Sequence, residues 1–234
     1  MKRFWSETRV VAAEGAGFTV HLDERPIRTP GRAELALPTR ALAEALAAEW
    51  DAQTETVDPR AMPLTRAANT AIDRVLPERA AVAAAIAEYG ESDLLCYRAP
   101  YPDELAAEQA AGWDPLLDWA AEALGARLAT GAGVMHVAQP PAAVAALAAA
   151  VGRLDPWGLT ALHELVSISG SLVLGLAVLE GRLAPAAAWR LSRIDEDWNI
   201  REWGEDAEAA ASAARREADF HAAARLLTLL RTEA

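Results

Sequence analysis

Short apolar runs separated by turn-forming residues occupy the first 37 residues of the chain. Phe18, Val20 and Leu22 alternate with Thr19 and His21, which is the two-residue period of a strand with one buried face. The breaks on either side are rich in glycine, proline and acidic residues, which favour turns. The pattern predicts a small antiparallel sheet at the start of the chain.

From residue 39 onward the apolar residues follow the period of a helix. Leu42, Leu46 and Trp50 recur every four residues after Thr39, whose hydroxyl suits an N-cap. A second stripe of this kind spans residues 64–75. We therefore expect one or two helices to cover the sheet and to form an N-terminal α+β domain with it.

The rest of the chain is expected to be helical. Asp114–Pro115 and Asp155–Pro156 each combine a capping residue with a proline suited to the first helical position, so each predicts a helix start. We expect the second of these helices to run to about Gly181. Two more helices are predicted over residues 186–203 and 206–230.

These patterns divide the chain into two domains. We assign residues 1–76 to the N-terminal α+β domain and residues 77–234 to a larger helical domain. Within the second domain, residues 127–130 and 134–137 are expected to form a small hairpin between helices. The sequence contains no internal repeat and no disordered linker between the two parts.

An excess of acidic residues bears on the partners of the protein. The 34 aspartates and glutamates outnumber the 22 lysines and arginines, which gives a formal net charge of −12. Nucleic-acid binding needs a basic surface, so this balance argues against a nucleic-acid partner. Between Asp195 and Asp219, nine acidic residues accompany only three arginines, and this stretch supplies half of the net charge.

Three features of the sequence predict a cytoplasmic protein. Cys96 is the only cysteine, so no internal disulfide can form, and its apolar neighbours indicate a packed side chain. The uncharged run Leu165–Leu179 is shorter than the roughly 20 residues that span a bilayer, so we expect no membrane insertion. The N-terminus carries charges and no apolar core, so we expect neither a signal peptide nor a transit sequence.

The motifs of common enzyme classes are missing from the sequence. A phosphate-binding loop needs a lysine, and the only lysine is Lys2. The four histidines lack the spacing and the cysteine partners of a zinc site, so we expect no metal. Ser167, Ser169 and Ser171 lie in an apolar run with glycines, which favours a small-residue face between helices over a nucleophile. We expect no cofactor, no small-molecule substrate and no enzyme activity.

The most acidic stretch combines carboxylates with tryptophans. Asp195, Glu196 and Asp197 fan out over about 200° on a helix, so they do not converge on one point. Three interpretations stay open: a solvated acidic face, a surface that recognises a basic partner, and a catalytic pair. Trp198 and Trp203 lie in the same stretch and are either core residues or contacts at an interface, where tryptophan is enriched.

A series of motifs along the chain resembles one known family. The stretch Leu22–Pro30 is similar to the opening motif of the ATP twelve (ATP12) family of F1-ATPase assembly chaperones. Further matches follow in the same order: Glu49–Asp51 with Met62–Thr65, Asn69–Asp73, Ser92–Arg98, Trp113–Trp119, Leu191–Trp198 and Trp203–Gly204. The resemblance covers roughly residues 4–204 and rests on the shared order of the motifs more than on any one of them.

The resemblance implies a function that involves binding and no chemistry. Members of this family bind the unassembled alpha subunit of ATP synthase, shield it from aggregation and release it for assembly of the catalytic head. They do not hydrolyse ATP themselves. For this chain, the resemblance implies a bacterial chaperone of the alpha subunit, with an N-terminal α+β domain followed by an orthogonal α-helical bundle.

The resemblance also guides the choice of site residues. In the family, the region that matches Asp195 and Glu196 and a tryptophan that matches Trp50 are important for function. With their neighbours they give the predicted partner-binding site: Asp195, Glu196, Asp197, Trp198, Trp203 and Trp50. Two alternatives stay open, namely a small hydrolase that uses Asp195 and Glu196, and a general protein-binding adaptor.

Overall fold

An antiparallel sheet forms at the start of the chain, in a computed structural model that describes residues 2–13, 15 and 17–232. Its strands are β1 (Thr8–Ala12), β2 (Phe18–Leu22) and β3 (Arg25–Pro26), in that spatial order. Val20 and Leu22 are buried, as expected for one face of a strand that packs on a core. The sheet predicted from the alternating pattern is confirmed.

Helix α1 (Arg40–Asp51) covers this sheet. Thr39 caps its first turn, where the hydroxyl oxygen accepts a hydrogen bond from the Leu42 amide at 3.2 Å. Leu42, Leu46 and Trp50 are all buried, so the four-residue stripe is the packed face of the helix.

Helix α2 (Pro63–Thr70) packs beside α1. It continues through a wider π-helical turn at Ala71–Val75. Leu64 and Ala68 are buried, and the stripe predicted over residues 64–75 therefore lies on one continuous helical segment.

The remaining elements are mainly helices, which confirms the α+β fold class. In chain order they are α3 (Arg79–Ala87), β4 (Tyr97–Arg98), α4 (Asp103–Ala123), β5 (Gly131–Ala132), α5 (Pro141–Gly152), α6 (Pro156–Ser169), α7 (Leu172–Leu179), α8 (Pro185–Leu191), α9 (Ile194–Trp203) and α10 (Ala207–Arg231). Helix α7 is buried along its whole length and forms a large part of the apolar core around it. No helix in the described part of the chain combines the length and the apolar character that crossing a bilayer requires.

The chain divides into two compact units, each built from separate segments. The first contains Met1–Arg79, Asp155–Ala161 and Ala222–Ala234, and the second contains Ala80–Leu154 and Leu162–His221. Helices α6 and α10 therefore contribute residues to both units. Within the first unit, the Thr39 hydroxyl donates to the Leu229 carbonyl oxygen at 2.8 Å, which ties the end of α10 to the start of α1.

The helix start predicted at Asp114–Pro115 is wrong, because Pro115 lies inside α4. A proline in a helix interior lacks the amide that would donate to the preceding turn, which costs stability. The helix continues because its buried face extends on both sides of the proline, over Leu105, Gln109, Trp113, Leu116, Leu117 and Ala120. Tertiary packing outweighs the lost hydrogen bond, and a local capping signal carries no information about that packing.

The single helix predicted after Asp155–Pro156 is wrong, because the segment forms two helices, α6 and α7. Gly170 adopts a φ of +74° at the break, and the Ser171 side chain caps the second helix. A β-carbon at Gly175 would lie only 2.8 Å from the Val166 side chain, so α7 packs very closely against α6. This close return requires the break, which a uniformly apolar run does not reveal.

The single helix predicted over residues 186–203 is also wrong, because it is divided into α8 and α9. The Leu191 carbonyl oxygen accepts a hydrogen bond from Trp113 Nε1 at 2.9 Å. Arg193 leaves the helical conformation at φ −118° and ψ 13°. A carbonyl engaged by a distant indole no longer serves the helix, so a tertiary contact accompanies the break.

The hairpin predicted over residues 127–130 and 134–137 is wrong. The residues between these two runs form β5, which pairs in parallel with β4 from a distant part of the chain. The Gly133 amide extends this pairing by donating to the Arg98 carbonyl oxygen at 2.9 Å. A parallel partner cannot be recognised from the local alternation of apolar and polar residues.

Candidate functional site

Glu49 connects α1 to the start of α2. Its carboxylate oxygens accept hydrogen bonds from the Leu64 amide at 2.7 Å, the Thr65 amide at 2.8 Å and the Thr65 hydroxyl at 2.8 Å. The first amides of a helix lack partners within the helix, and a carboxylate satisfies them while interacting favourably with the helix dipole. Glu49 therefore caps α2, which explains why the motifs Glu49–Asp51 and Met62–Thr65 occur together.

Asp73 holds the turn that follows the sheet. Its Oδ1 accepts a hydrogen bond from the Thr29 hydroxyl at 2.7 Å, and its Oδ2 accepts one from the Gly31 amide at 2.8 Å. A β-carbon at Gly31 would lie 2.8 Å from the Asp73 carboxyl carbon, so a larger residue would displace the carboxylate. Asp73 thereby joins the Leu22–Pro30 motif to the helical segment after α2.

Asp93 is a buried carboxylate that caps α7. Its Oδ1 accepts a hydrogen bond from the Leu95 amide at 3.0 Å, and its Oδ2 accepts one from the Val173 amide at 2.9 Å. Burial raises the pKa of Asp93, although the hydrogen bonds to the charged form act in the opposite direction. The Ser92–Arg98 motif is thus joined to the start of a central helix.

Sequence reasoning did not single out these three carboxylates as functional residues. Leu95 is a local partner of Asp93, two residues away, but each carboxylate also has a distant hydrogen-bond partner, 15 residues away for Glu49, 44 for Asp73 and 80 for Asp93. No local spacing could identify these distant pairs. Their presence in the motifs that carry the family resemblance was the available signal. The contacts indicate that these motifs maintain the fold.

Asp195, the first of the predicted site residues, is held by α4. Its Oδ1 accepts a hydrogen bond from Gln109 Nε2 at 2.5 Å, and Gln109 Oε1 in turn accepts one from the Ala99 amide at 2.7 Å. Gln109 is buried and Asp195 is half-buried. This series of hydrogen bonds positions the first turn of α9 against α4.

Asp197 and Trp198 also have partners within the chain. Asp197 Oδ1 forms an ion pair with Arg193 at 3.2 Å, and the Arg193 guanidinium lies over the Trp189 ring at 5.3 Å from its centroid. Trp198 is half-buried and lies under the Arg201 guanidinium, 5.1 Å from the ring centroid. These contacts stabilise α9 and the residues at its two ends.

Glu196 and Trp203 differ from these three residues: both line an open groove between α9 and α10. The groove has a volume of about 600 Å³. Trp203, the last residue of α9, is 86% exposed. Glu196 is exposed and forms neither a hydrogen bond nor an ion pair with any residue that the structure describes. Gly204, at φ +89°, lets the chain turn between the two helices.

Trp50 belongs to the first unit, whereas the other five predicted site residues belong to α9 in the second unit. Its side chain is only 9% exposed and packs against Trp5, with ring centroids 5.3 Å apart and a T-shaped arrangement. The indole nitrogens of both tryptophans are buried without an acceptor among the described residues. Trp50 is therefore a core residue, and its part in partner binding stays a prediction.

The serines of the apolar run, the single cysteine and the acidic pair all have surroundings that bear on catalysis. The Ser169 hydroxyl donates to a backbone carbonyl oxygen of its own helix at 2.6 Å, and Ser171 caps α7. Burial raises the pKa of the Cys96 thiol to about 12, so this side chain is a neutral thiol at physiological pH and a weak nucleophile. Asp195 is bound to an amide side chain while Glu196 is open to solvent, so the two carboxylates do not share one environment.

Across residues 2–13, 15 and 17–232, no group of three histidine, cysteine or acidic side chains could hold a metal ion.

Comparison with known proteins gives consistent matches. The model of a family described as ATP12 chaperone protein matches residues 2–121, just over half of the chain. The protein atp12, mitochondrial, of Schizosaccharomyces pombe is 26% identical over 215 residues, which cover 87% of this chain and 74% of that protein.

Two solved bacterial structures are similar to nearly the whole chain. The crystal structure of Atp12 from Paracoccus denitrificans has 52% sequence identity and a TM-score of 0.94, with 98% of both chains covered. The Atu1473 protein from Agrobacterium tumefaciens has 46% identity and the same TM-score of 0.94, with 98% of this chain and 86% of that chain covered.

Proposed function

This chain belongs to the ATP12 chaperone family, whose members assist the assembly of the F1 head of ATP synthase, and from this membership we propose that it binds the unassembled alpha subunit. In this role it keeps the alpha subunit from aggregating and releases it for assembly with the other subunits. The observation that carries the proposal is the match of the family model over residues 2–121.

Elementary physical chemistry explains why an unassembled subunit needs such a partner. A subunit that waits for its neighbours exposes apolar surface and strand edges that the finished assembly would bury, and such surfaces associate wrongly. A chaperone must cover them with an apolar contact that is strong enough to bind and weak enough to release. Trp203, which is 86% exposed within an acidic segment, offers a contact of this kind.

We assign the client contact to the surface of α9. Glu196 and Trp203 contact the client directly, because both side chains are exposed at the groove. Asp195, Asp197 and Trp198 position α9 through their partners within the chain, and so set the orientation of the two contact residues. Trp50 acts indirectly, because it is buried in the first unit and supports the packing of α1.

We also propose that the protein acts by binding alone, without enzyme activity, and that it does so in the cytoplasm. The chaperone family supports the first statement. The separate environments of Asp195 and Glu196 support it as well, because an acid–base pair must converge on one substrate atom. Assay of the purified protein for hydrolysis of esters, phosphates and glycosides tests this point, and turnover that depends on Glu196 would favour the hydrolase alternative.

Refolding of the isolated alpha subunit tests the main proposal. We expect the alpha subunit to aggregate when it is diluted from denaturant, as measured by light scattering, and to stay in solution with an equimolar amount of this protein. The two chains should then elute together from a gel-filtration column, while the beta subunit, as a control, should not be retained.

Two results would contradict the proposal in different ways. Absence of alpha-subunit binding, together with normal assembly in a deletion strain, would show that the alpha subunit is not the client. Retention of many unrelated proteins as strongly as the alpha subunit would instead favour the general adaptor.

A further inference from the structure

The groove between α9 and α10 has a floor of small side chains. Helix α10 contributes four alanines to its lining: Ala209, Ala210, Ala213 and Ala214. Ile200 and Trp203 of α9 supply apolar surface on the other side. Alanine side chains do not extend across the groove, so about 600 Å³ stays unfilled, which is within the range that proteins use to hold ligands.

The first half of α10 has little packing of its own. No residue from Ala207 to Asp219 is buried, and Phe220 is the first buried residue of the helix. One contact in this half is a hydrogen bond from the Arg216 guanidinium to the Ile168 carbonyl oxygen at 2.6 Å. Helices of this length gain most of their stability from packing an apolar face, so a segment that covered the alanine face would stabilise α10.

The charges around the groove favour a basic occupant. Glu196 and Glu205 line the groove, and neither has a hydrogen bond or ion pair with the residues that the structure describes. The two arginines at the rim are already engaged, Arg193 with Asp197 and Arg216 with a backbone carbonyl oxygen. A hydrogen bond to a neutral carbonyl leaves the charge of Arg216 in place, but four carboxylates line the groove against two arginines: Glu196, Glu205, Asp206 and Glu217. The net charge of the lining is therefore negative, and the complementary partner carries lysine or arginine.

We infer that this groove binds a basic amphipathic segment of the client, in which an arginine or lysine lies next to one or two aliphatic side chains. The aliphatic side chains fill the space above the alanines of α10, and the cationic side chain pairs with Glu196 and Glu205. Trp203 covers the segment at the open end of the groove. This is the arrangement of an amphipathic helix in a groove. The inference rests on the proposed function, because it takes the alpha subunit as the client.

A matched pair of charge variants tests the electrostatic part. The double variant E196Q/E205Q removes two charges that line the groove, and E202Q/E208Q removes two exposed charges that do not line it. We expect the first to weaken binding of the purified alpha subunit about fivefold at low salt, with a smaller effect at high salt. The second should change the dissociation constant by less than about twofold.

A matched pair of filling variants tests the apolar part. A213F places a ring in the groove, whereas A211F places the same ring at an exposed position of α10 that does not line it. We expect A213F to weaken binding by about tenfold or more, because the occupant and the ring compete for one space. A211F should bind nearly as the wild type does. Circular dichroism melting of both variants establishes that each is folded.

Synthetic peptides separate failure of this inference from failure of the proposed function. One amphipathic peptide carries arginines on one face and leucines on the other, and a second has glutamates in place of the arginines. Binding is followed by tryptophan fluorescence. The variant W203F shows how much of the signal comes from the other tryptophans. We expect the basic peptide to bind the wild type and not A213F, and the acidic peptide not to bind.

Each outcome has a defined meaning. If the wild type binds the basic peptide and not the alpha subunit, the groove inference is supported and the proposed client is wrong. If the wild type binds the alpha subunit and all four variants bind it equally well, the groove inference is overturned and the proposed function stands. Self-association of the wild type that is lost in A213F would make a second copy the occupant and would also overturn the inference.

Discussion

Glu49, Asp73 and Asp93 each accept at least two hydrogen bonds from amides or hydroxyls, whereas Glu196 and Glu205 accept none within the part of the chain that the structure describes. A carboxylate of the first kind has exchanged its water for backbone donors, so its removal leaves those donors unsatisfied. A carboxylate of the second kind keeps its water and can exchange it for the cation of a partner. The same residue type therefore maintains the fold in one region and is available for binding in the other.

Two tryptophans show the same contrast. Trp50 is 9% exposed and packs against Trp5, while Trp203 is 86% exposed at the end of α9. Apolar area removed from water stabilises a protein by roughly 25 cal/mol per Å², so Trp50 contributes this energy to folding, whereas the ring of Trp203 stays exposed to water. A substitution that weakens client binding can thus act through the fold or through the contact, and a stability measurement distinguishes the two.

Replacement of Trp50 should have the largest effect on stability. We expect Trp50→Ala to lower the free energy of unfolding by about 3–5 kcal/mol, because it removes a large buried ring and leaves a cavity. Chemical denaturation followed by circular dichroism measures the change. A loss below about 1 kcal/mol would mean that Trp50 is not a core residue, and would favour the prediction that it contacts the partner directly.

Replacement of Asp93 should have the next largest effect. Asp93→Ala leaves the amides of Leu95 and Val173 buried without an acceptor, so we expect a loss of about 2–4 kcal/mol. Asp93→Asn keeps one carbonyl oxygen and should lose less. Equal stability of the wild type and both variants would show that these hydrogen bonds do not maintain the fold.

Asp93 also gives a pH dependence of defined sign. Burial raises its pKa above the ordinary value of 3.8, so the folded state binds this proton more tightly than the unfolded chain does. The resulting stability is complete below the ordinary pKa and is lost as the pH rises through the raised pKa. The difference in unfolding free energy between the wild type and D93N should therefore decrease as the pH rises above 3.8. A difference that increases with pH would show that the amide donors outweigh burial.

Replacement of Glu49 should have a moderate effect. Glu49 is half-buried, and Glu49→Ala removes three hydrogen bonds at the start of α2, so we expect a loss of about 1–2 kcal/mol. Glu49→Gln keeps one acceptor oxygen and serves as the matched control, with a smaller loss. Thermal melting of the three proteins measures the series. If Glu49→Ala is as stable as the wild type, the hydrogen bonds of Glu49 do not maintain the fold.

Replacement of Glu196 or Trp203 should have the smallest effect on stability and a clear effect on binding. We expect Glu196→Lys and Trp203→Ala to change the unfolding free energy by less than about 0.5 kcal/mol, because both side chains are exposed. Each should weaken binding of the alpha subunit in a titration of the purified proteins. Unfolding of either variant would show that its residue maintains the fold, as Glu49 and Trp50 do, and would contradict the contrast drawn here.

The parts of the fold set by local pattern were predictable from the sequence, and the parts set by distant contacts were not. The stripe from Leu42 to Trp50 identifies α1 because burial follows the period of the helix. The alternation in β2 identifies the strand through Val20 and Leu22, which are buried as predicted, although Thr19 between them is buried as well. The continuation of α4 through Pro115 and the break after Leu191 depend on packing between distant segments.

The candidate site was predictable to a similar degree. The acidic stretch and its tryptophans are visible in the sequence, but all three carboxylates from Asp195 to Asp197 look equivalent there. Their difference arises from Gln109 and Arg193, which engage two of them and leave Glu196 at the groove. Gln109, which engages Asp195, lies on another helix, so no spacing within the acidic stretch could predict this contact.

Residues from Ala222 onward belong to the same unit as the N-terminal sheet, and Leu229 accepts a hydrogen bond from Thr39. During translation, the sheet and α1 leave the ribosome well before these residues are made. The N-terminal unit therefore completes its packing only when synthesis of the last helix is finished. A tag, nick or premature stop near residue 222 would therefore disturb the packing of the N-terminal sheet and α1, which are the first parts of the chain to be synthesised.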